Sequence, residues 1–400
     1  MTGLFPLCYV ASVFTTAGPI REGGRIDGLR ILVVNWRDGK NPEAGGAEVH
    51  LHEIFGRIAA MGNSVTLLAH RFPGALEEEY VGGVRVLRVG GKFDFHFHVL
   101  PAWFRRLRRE GYDVVVEDLN KLPFFLPLAV RVPCGAILHH FFGSSIWKET
   151  NPLFAAYVGA GEWVVRHTYR KIPFCVVSES TADELRRNGF ADERIRIIHN
   201  AVDHDLYKPD RSVEPAPGRI LYLGRVKKYK GIDLILHALV RIRREIPEAH
   251  LVVVGQGDDL PRLHRLKDRL GLADAVSFHG FVDTATKVDL LRRAMVMVTP
   301  SPKEGWGVTT IEGNACGTPV VASDAPGLRD AVRDGRTGFL FPYGDVEAMA
   351  DRVRRLLTDR ELRRRFSEEA VLWAGRFRWD RSAEETLEWL RALAGRGEER

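Results

Sequence analysis

The stretch "AMVMVTPSPKEGWGVTTIEGNACGTPVVASD", residues 294–324, joins two short apolar runs through a Gly-rich loop and a short helical segment. The two runs, "VMVT" and "PVVAS", are β-branched and lack polar alternation, which is typical of strands buried on both faces of a parallel sheet. Gly317, just before Pro319, marks the end of the intervening helix. This strand–loop–helix–strand unit predicts an α/β fold with parallel strands.

The same rhythm extends over most of the chain. In the first half the predicted strands are "LRILVVN", "SVTLLAH", "VRVLRVG", "YDVVVEDL", "CGAILHH" and "FCVVSES". After a Pro-rich segment without periodicity, the pattern restarts with "RILYLG", "AHLVVVG", "AVSFHGFV", "AMVMVTP", "PVVASD" and "GFLFPYG". Strands that alternate with helices indicate doubly wound sheets, so we predict two Rossmann-like parallel-sheet domains in tandem.

The predicted domain organisation follows these shifts in pattern. We expect, in order, a loose N-terminal extension at 1–28, an N-terminal domain at 29–205, a linker at 206–218, a C-terminal domain at 219–378, and a last helix at 379–400 that packs back on the N-terminal domain. Ligands of open α/β sheets bind beyond the carboxyl ends of the strands. We therefore expect the functional motifs in loops that follow strands and face a cleft between the domains.

Composition excludes few classes of function. The chain has 400 residues, 45% of them apolar, and a net charge of +6, which permits anionic partners without requiring them. No stretch approaches the roughly 20 apolar residues of a spanning helix. The cysteines lie far apart and show no metal-ligand spacing, which fits reduced thiols in the cytoplasm and predicts no metal site; they are Cys8, Cys134, Cys175 and Cys316.

Two loops place glycines where an anion would bind. Gly224 and Arg225 directly follow a strand, and Lys230 comes five residues later. A planar guanidinium and a mobile ammonium at a strand end suit the oxygens of a diphosphate. Gly45 and Gly46 precede a helix, whose free N–H groups attract anions. For this second loop, a plain strand-to-helix turn explains the sequence equally well.

The stretch 294–324 contains two carboxylates. Glu304 follows a strand, and Gly305 and Gly307 just after it leave the backbone bare of side chains. Glu312 follows more than a helical turn later. A carboxylate accepts hydrogen bonds from two hydroxyls at once, so sugar hydroxyls suit both positions. A polar loop with one surface glutamate is the plain alternative, and it explains neither the glycines nor Trp306.

Other candidates depend on position alone. The strand-end histidines His139 and His140 suit a sugar hydroxyl or a developing charge, although such residues are more often structural. Ser178 and Asn200 follow later strands and suit either an acceptor contact or a hinge. Gly255 closes another strand, and a loop at 281–282 offers backbone groups to a base edge.

Taken in chain order, these motifs resemble those of the retaining glycosyltransferases of family 4, which have the GT-B fold. The matching pieces span residues 29 to about 345 and are "GGAE", the strand-end His139, "VSEST", "HNAVD", "GRVKKYKG", "VGQGDD", "FHGFV" and "EGWGVTTIE" followed by "ACGTPVVAS". Ala201 stands where the family usually has glycine. The two glutamates separated by seven residues form the most specific of these pieces.

The resemblance implies a role for each motif. A nucleotide-diphosphate sugar would bind mainly to the C-terminal domain, with Arg225 and Lys230 on the diphosphate, Glu304 on the donor sugar and Glu312 on the ribose. From the first domain, Gly46 would close over the phosphates and His139 would touch the sugar ring. The other donor-binding residues would be Gly45, Gly224, Gly255, Phe281, Val282, Gly305, Trp306, Gly307 and Val308. The family transfers with retention and generally needs no metal, so we expect no cofactor.

The acceptor side is less specific. The segment "GGKFDFHFHVLPAWFRRLRR", residues 90–109, mixes aromatic with basic residues. It suits an anionic membrane surface, and a basic helix face over a core explains it equally well. We expect a hydroxyl acceptor, lipid-linked or a polysaccharide, used in glycoconjugate or cell-envelope synthesis by a cytoplasmic protein peripheral to the membrane.

Two other functions compete with glycosyl transfer. A sugar-nucleotide epimerase of the same architecture would handle similar donors, but the paired glutamates together with "GRVKKYKG" favour transfer. A nucleic-acid-binding protein would account for the net charge and for "RRLRR" at 105–109. The sequence has no recognised nucleic-acid motif and its basic residues are spread out, so we expect no nucleic-acid partner.

Overall fold

The computed structural model describes residues 28–119, 122–143, 146 and 152–395. The predicted N-terminal extension therefore lies, apart from Gly28, outside the described residues, as do the last five residues. The described chain forms two compact units. The first unit comprises the residues up to Asn200 together with those from Trp379 onward, and the second comprises Ala201–Arg378.

The first unit is built from strands and helices in the following order: β1 Arg30–Val34, α1 Gly46–Ala60, β2 Ser64–His70, β3 Glu78–Val81, β4 Val84–Val89, α2 Phe95–Arg105, β5 Val114–Leu119, α3 Leu126–Ala129, β6 Cys134–Leu138, α4 Pro152–Thr168, β7 Phe174–Val176, α5 Glu179–Arg187 and β8 Ile195–Ile197. The last helix of the chain, α13 Trp379–Gly395, belongs to this unit as well.

The second unit continues the alternation of strands and helices: β9 Arg219–Leu223, α6 Ile232–Ile242, β10 His250–Val254, α7 Leu260–Arg269, β11 Val276–Gly280, α8 Thr284–Arg293, β12 Val296–Thr299, α9 Val308–Ala315, β13 Val320–Ser323, α10 Leu328–Ala331, β14 Gly338–Phe341, α11 Val346–Thr358 and α12 Arg360–Ala374. Each of its six strands lies in one of the apolar runs that the sequence predicts.

Both sheets share one topology. The first has the order β3-β4-β2-β1-β5-β6-β7-β8 and the second β11-β10-β9-β12-β13-β14. Numbered within its unit, the second sheet has the 3-2-1-4-5-6 order of dinucleotide-binding folds, and the first contains the same order once its edge strand β3 is left out of the numbering. All pairings are parallel except that of β3 with β4. The sequence did not predict β3 and β8, because both are short and lie at the sheet edges.

The central strands are apolar because helices cover both of their faces. Ile31 to Val34 in β1 and Val296 to Val298 in β12 are fully buried. In the second unit, α9 begins after Gly307, which has φ +75°, and is followed by Gly317, which has φ +85°. These left-handed conformations favour glycine, and they explain why α9 begins and ends where it does.

The unit boundary differs from the predicted one. The segment 206–218, predicted as a linker, belongs to the second unit, which already begins at Ala201. Tyr207 is fully buried, and the Ala216 amide donates to the Arg293 carbonyl at 2.8 Å. Prolines remove periodicity from this segment, but its side chains and amides still pack on the second unit.

Helix α13 packs within the first unit. A Cβ built on Gly135 of β6 would lie 2.6 Å from the Trp389 ring, so glycine is required for this close approach. Arg57 on α1 forms an ion pair of 2.8 Å with Asp380. The Ser382 hydroxyl donates to the His199 carbonyl at 2.8 Å. The first unit is therefore discontinuous in sequence.

Candidate active site

In the second unit, the strand order reverses between β9 and β12, and this is the place where open α/β sheets bind ligands. The loop after β9 carries Gly224, Arg225 and Lys230. The loop after β12 carries Glu304 and leads into α9. The two most informative motifs of the sequence therefore leave the sheet from neighbouring strands, at the same edge.

Lys230 and Glu304 form an ion pair at this edge, from Nζ to Oε1. The Lys230 side chain is largely buried, and its ammonium lies 5.2 Å from the centre of the Tyr229 ring. Arg225 is exposed, and its guanidinium donates to the Tyr229 hydroxyl at 3.1 Å. The Tyr222 hydroxyl donates to the Arg225 carbonyl at 2.9 Å, which fixes the start of the loop.

The backbone of Glu304 is held by the loop that follows β13. Its amide donates to the Pro326 carbonyl at 3.0 Å. A Cβ on Gly327, which has φ +79°, would lie 2.2 Å from the Glu304 carbonyl oxygen. The Ser323 hydroxyl donates to the Ser301 carbonyl. Sequence reasoning missed Gly327 as a positioning residue, because a glycine in the loop after a strand indicates a turn and does not indicate a contact with the Glu304 backbone.

The segment between Glu304 and α9 lies mostly inside the fold, since Trp306 and Gly307 are both buried. The Trp306 side chain is only 1% exposed and packs edge-on against Phe377, with ring centroids 4.6 Å apart. The prediction of a donor contact at Trp306 therefore needs correction, because the residue is buried against Phe377. Gly305 and Val308 are half-buried and flank the helix start.

Glu312 lies on α9 and is buried. It pairs with Lys287 of α8, whose Nζ lies 2.7 Å from its Oε1 and 5.0 Å from the centre of the Tyr207 ring. Sequence reasoning missed Lys287, since one lysine on a helix gives no signal of its partner. A Cβ on Gly313 would lie 3.0 Å from the Met297 sulfur, so this glycine allows α9 to approach β12 closely.

Of the other predicted donor-binding residues in this unit, one is required for packing and two lie closer to the surface. A Cβ on Gly255, which has φ +136°, would lie 1.9 Å from the Gly224 carbonyl oxygen, so packing of two strand ends requires this glycine. Phe281 follows β11 and is 56% exposed, and Val282 beside it is half-buried. An exposed phenylalanine at a strand end is available for stacking on a planar group.

In the first unit, Gly45 and Gly46 begin α1. The Gly45 amide donates to Glu48 Oε2 at 2.6 Å, and this contact satisfies one of the free donors at the helix start. A Cβ on Gly46 would meet no atom within 4 Å. Protein packing therefore does not account for glycine at this position, whereas close approach of a ligand would.

His139 lies just beyond β6, at the corresponding edge of the first sheet. Its Nε2 lies 3.2 Å from Oδ1 of Asp118, which is the last residue but one of β5 and is 0% exposed. His50 of α1 packs edge-on against the His139 ring, with centroids 5.0 Å apart. Sequence reasoning missed Asp118 and His50, because nothing in their local sequence indicates that the fold brings them to His139.

Among the described residues, His50, Asp118 and His139 form a group whose ligand atoms lie within 4.8 Å of one another, which is close enough to consider a metal ion. Burial and the charge of His139 hold the pKa of His50 well below its ordinary value. Burial lowers the pKa of His139, but the Asp118 carboxylate outweighs this effect and the net pKa is raised. We assign no ion to the group.

Three further candidates are buried or half-buried. Ser178 is fully buried and caps α5, with its hydroxyl accepting from the Thr181 amide at 3.2 Å. His140 is half-buried, with its ring 4.9 Å from that of Phe142. Asn200 is buried at the end of the first unit. None of these positions is an open binding surface.

Two family models match the chain. The model "Glycosyltransferase Family 4" covers residues 44–206, and "Glycosyl transferases group 1" covers residues 206–373. A relative from Streptomyces bingchenggensis, a D-inositol 3-phosphate glycosyltransferase, is 30% identical over 86% of this chain and 84% of its own length. A phosphatidyl-myo-inositol mannosyltransferase from Mycobacterium leprae is 28% identical over 88% of this chain and 94% of its own.

Solved structures show the same fold. Sucrose-phosphate synthase from Thermosynechococcus elongatus has a TM-score of 0.75 at 21% identity, covering 91% of this chain and 99% of its own. Anabaena HepE, solved in complex with UDP-glucose, has a TM-score of 0.69 at 19% identity, covering 91% and 100%. None of the described helices has the length and apolar character needed to cross a bilayer. The chain belongs to glycosyltransferase family 4, has the GT-B fold, and is a glycosyltransferase.

Proposed function

We propose that this glycosyltransferase moves a sugar, with retention, from a nucleotide-diphosphate sugar to a hydroxyl acceptor. One observation carries the proposal: Arg225 and the Lys230–Glu304 pair lie together at the point where the second sheet reverses its strand order. The complex of Anabaena HepE with UDP-glucose supports the class of donor. Because the family is that of glycosyltransferases, we set aside the epimerase and the nucleic-acid-binding protein.

The charges at this edge suit departure of a nucleoside diphosphate. Glycosyl transfer develops positive charge on the sugar and negative charge on the leaving diphosphate. Fixed cations stabilise that negative charge most where water is excluded, and Lys230 is largely buried. We propose that Arg225 and Lys230 bind the diphosphate, that Glu304 binds hydroxyls of the donor sugar, and that Glu312 binds the ribose.

The pairing of Lys230 with Glu304 also bears on stereochemistry. A carboxylate paired with an ammonium is a weak nucleophile, so we propose attack on the same face through an ion-pair-like state, with the leaving phosphate accepting the proton of the acceptor. We further propose that the cations replace a catalytic metal, so that EDTA leaves the rate unchanged. A trapped covalent sugar–enzyme adduct on the normal route would contradict this mechanism.

The donor class is tested by a thermal-shift screen of nucleotide sugars, followed by hydrolysis and transfer assays on each hit. We expect one UDP-, GDP- or ADP-linked sugar to raise the Tm and to be hydrolysed slowly without acceptor. Proton NMR of the transferred sugar should show the anomeric configuration of the donor. An inverted product, or no turnover with any nucleotide sugar, would contradict the proposal.

We propose an anionic membrane surface as the place where this enzyme meets its acceptor. Phe97 and Phe104 lie seven residues apart on α2, and therefore on one face of it, and Phe93 precedes the helix. Phe93 and Phe97 are 91% and 77% exposed. Arg105 and Arg108 are exposed beside them. Exposed aromatic residues flanked by cations are typical of interfacial segments.

The membrane proposal is tested by flotation with vesicles of phosphatidylcholine alone and with added phosphatidylglycerol. We expect flotation only with the anionic vesicles, weakened by high salt. Replacement of Phe93 and Phe97 by serine should abolish it, whereas the same change at exposed Tyr343 in the second unit should not. Absence of flotation at low salt would contradict the membrane surface and leave the donor assignment untouched.

A further inference from the structure

Three ionisable side chains meet where the strand order of the first sheet reverses, between β1 and β5. Asp118 is the last residue but one of β5, His139 follows β6, and His50 lies on α1, the helix that follows β1. Their polar atoms lie within 4.8 Å of one another. This group occupies, in the first unit, the edge that binds ligands in open α/β sheets.

The Asp118 carboxylate is the most confined of the three. It is 0% exposed, and among the described residues neither of its oxygens has a hydrogen-bond partner of good geometry. The closest cationic group is the His139 imidazole, with Nε2 at 3.2 Å from Oδ1. A carboxylate buried without a compensating charge is strongly disfavoured, so the fold requires a proton on this pair.

The surroundings of His139 determine where that proton resides. From α1, the His50 ring contacts it edge-on and is kept neutral by burial, while Glu48 contributes negative charge. The ordinary pKa of an aspartate lies well below that of a histidine, so the proton belongs on the imidazole. The His50 ring also packs against Trp379 of α13, with centroids 6.1 Å apart.

Part of the His139 side chain remains accessible to a ligand. The side chain is 14% exposed, and its Nε2 is buried. The exposed part therefore lies on the remaining atoms, which include Nδ1. We infer that Asp118 is a positioning residue that keeps His139 doubly protonated, with Nε2–H on the side of the buried carboxylate and Nδ1–H left to donate to a substrate oxygen.

This inference rests on the proposed function, because only a glycosyl donor or acceptor gives Nδ1–H a substrate oxygen to bind. It extends that proposal by naming the protonation state and the residue that sets it. Once Asp118 is neutralised, the ring loses its counter-charge while remaining buried. His139 should then be neutral at physiological pH and free to adopt either tautomer.

The first test needs neither donor nor acceptor. Long-range ¹H–¹⁵N spectra of the full chain, with His139 assigned by the signal lost in His139→Gln, report both ring nitrogens. We expect both to have imidazolium shifts at pH 7.5 in the wild type. In Asp118→Asn, we expect one nitrogen to move to the neutral, unprotonated range. A neutral His139 in the wild type at pH 7.5 would overturn the inference even if the variant failed to fold.

The second test is the pH profile of transfer. Relative to the wild type, Asp118→Asn should lose activity on the order of 10²-fold at pH 8, with a smaller deficit at pH 6, because the protonated fraction of the ring rises as the pH falls. Asp183→Asn is the matched control, because Asp183 belongs to the same unit and its Oδ1 lies 2.7 Å from Arg186 in an ion pair on the exposed surface. It should leave the profile unchanged. A deficit in Asp118→Asn that is equal at both pH values would overturn the inference.

The outcomes separate this inference from the proposed function. If no nucleotide sugar is turned over but His139 is an imidazolium in the wild type and neutral in Asp118→Asn, the charge assignment stands and the proposed reaction fails. If transfer is confirmed but His139 is neutral, only the inference fails. If the purified protein held one equivalent of bound metal that both Asp118→Asn and His50→Phe lost, these residues would form a metal site. That result would overturn the inference.

Discussion

The two units place carboxylates at corresponding sheet edges and treat them differently. In the second unit, Glu304 and Glu312 each form an ion pair with a lysine, Lys230 and Lys287 respectively. In the first unit, Asp118 is fully buried beside a histidine and lacks a hydrogen bond of good geometry among the described residues. One topology thus supports two kinds of electrostatic environment.

This difference indicates that the carboxylates of the two units respond differently to a ligand. A lysine ammonium is mobile and has three donors, so it can pair with a carboxylate and still bind a phosphate oxygen. The acids of the second unit can therefore exchange contacts with an arriving ligand. In the first unit, burial fixes the charges before any ligand arrives. Substitutions in the two units test this contrast.

Glu304→Gln should reduce transfer by on the order of 10³-fold, because the amide loses the charge that orients the donor sugar and pairs with Lys230. Binding of the free nucleoside diphosphate should change little. Steady-state transfer and isothermal titration with the nucleotide measure the two effects. Glu347→Gln, which breaks the exposed pair with Arg241, is the control. Full activity in Glu304→Gln would contradict the assignment of the donor-sugar site.

Lys230→Met should lower kcat/KM by about 10²-fold, because a fixed cation is lost where negative charge develops on the leaving diphosphate. Unlike Glu304→Gln, it should also weaken binding of the free diphosphate. Lys227→Met is the matched control, since Lys227 lies in the same loop and pairs with Asp258 on the surface at 2.8 Å. Equal losses in the two lysine variants would mean that general charge, and no specific site, accounts for the effect.

Glu117→Gln tests the role of burial in the first unit. Glu117 accepts hydrogen bonds from the Leu126 amide and the Tyr169 hydroxyl, and burial raises its pKa to about 7. The folded state therefore binds the proton more tightly than the unfolded state. Its contribution to the free energy of unfolding is greatest below pH 4.5, and about 3 kcal/mol of it is lost as the pH rises through 7.

The glutamine variant lacks this titration, so its stability relative to the wild type should improve as the pH rises from 4.5 to 7.5. Amide hydrogen exchange of β5 measures the change in the first unit. The amides of β9 in the second unit provide an internal control and should show no difference between the two proteins. A difference between variant and wild type that stays constant with pH in β5 would show that Glu117 titrates as an ordinary carboxyl.

Lys287→Met should have the smallest effect, raising the Kd for the nucleotide about tenfold with little change in kcat. Its lysine contacts Glu312, which we propose binds the ribose, and ribose contacts do not change during bond cleavage. Titration and initial rates measure the two constants. A kcat loss as large as that of Lys230→Met would break the distinction between the two lysine–glutamate pairs.

The sequence predicts regular features of this fold well and long-range pairings poorly. The central strands follow from β-branched apolar runs, and the limits of α9 follow from Gly307 and Gly317. The family and the fold follow from motifs whose spacing is local. The edge strands are not predicted because they are short. Trp306 is wrongly predicted to contact a ligand, because no neighbouring residue in the sequence indicates that Phe377 packs beside it.

The same limit applies to the sites. Lys230 and Glu304 are 74 residues apart in sequence, but each is marked by its own glycine-rich loop. Lys287, Asp118 and Gly327 carry no such mark. Their roles depend on the partners that the strand order brings to them, namely Glu312, His139 and the Glu304 backbone. These residues are recognised only once the three-dimensional arrangement is known.

The close approach of Gly135 to Trp389 has a consequence for biosynthesis. Strand β6 of the first sheet needs a helix that the ribosome makes only after the whole second unit. Domains that are continuous in sequence fold as they emerge. Here the second unit is fully synthesised while the first still exposes the apolar face that α13 will cover. A stop codon shortly before Trp389 would thus leave the beginning of the chain unfinished, although every residue of that beginning had been translated correctly.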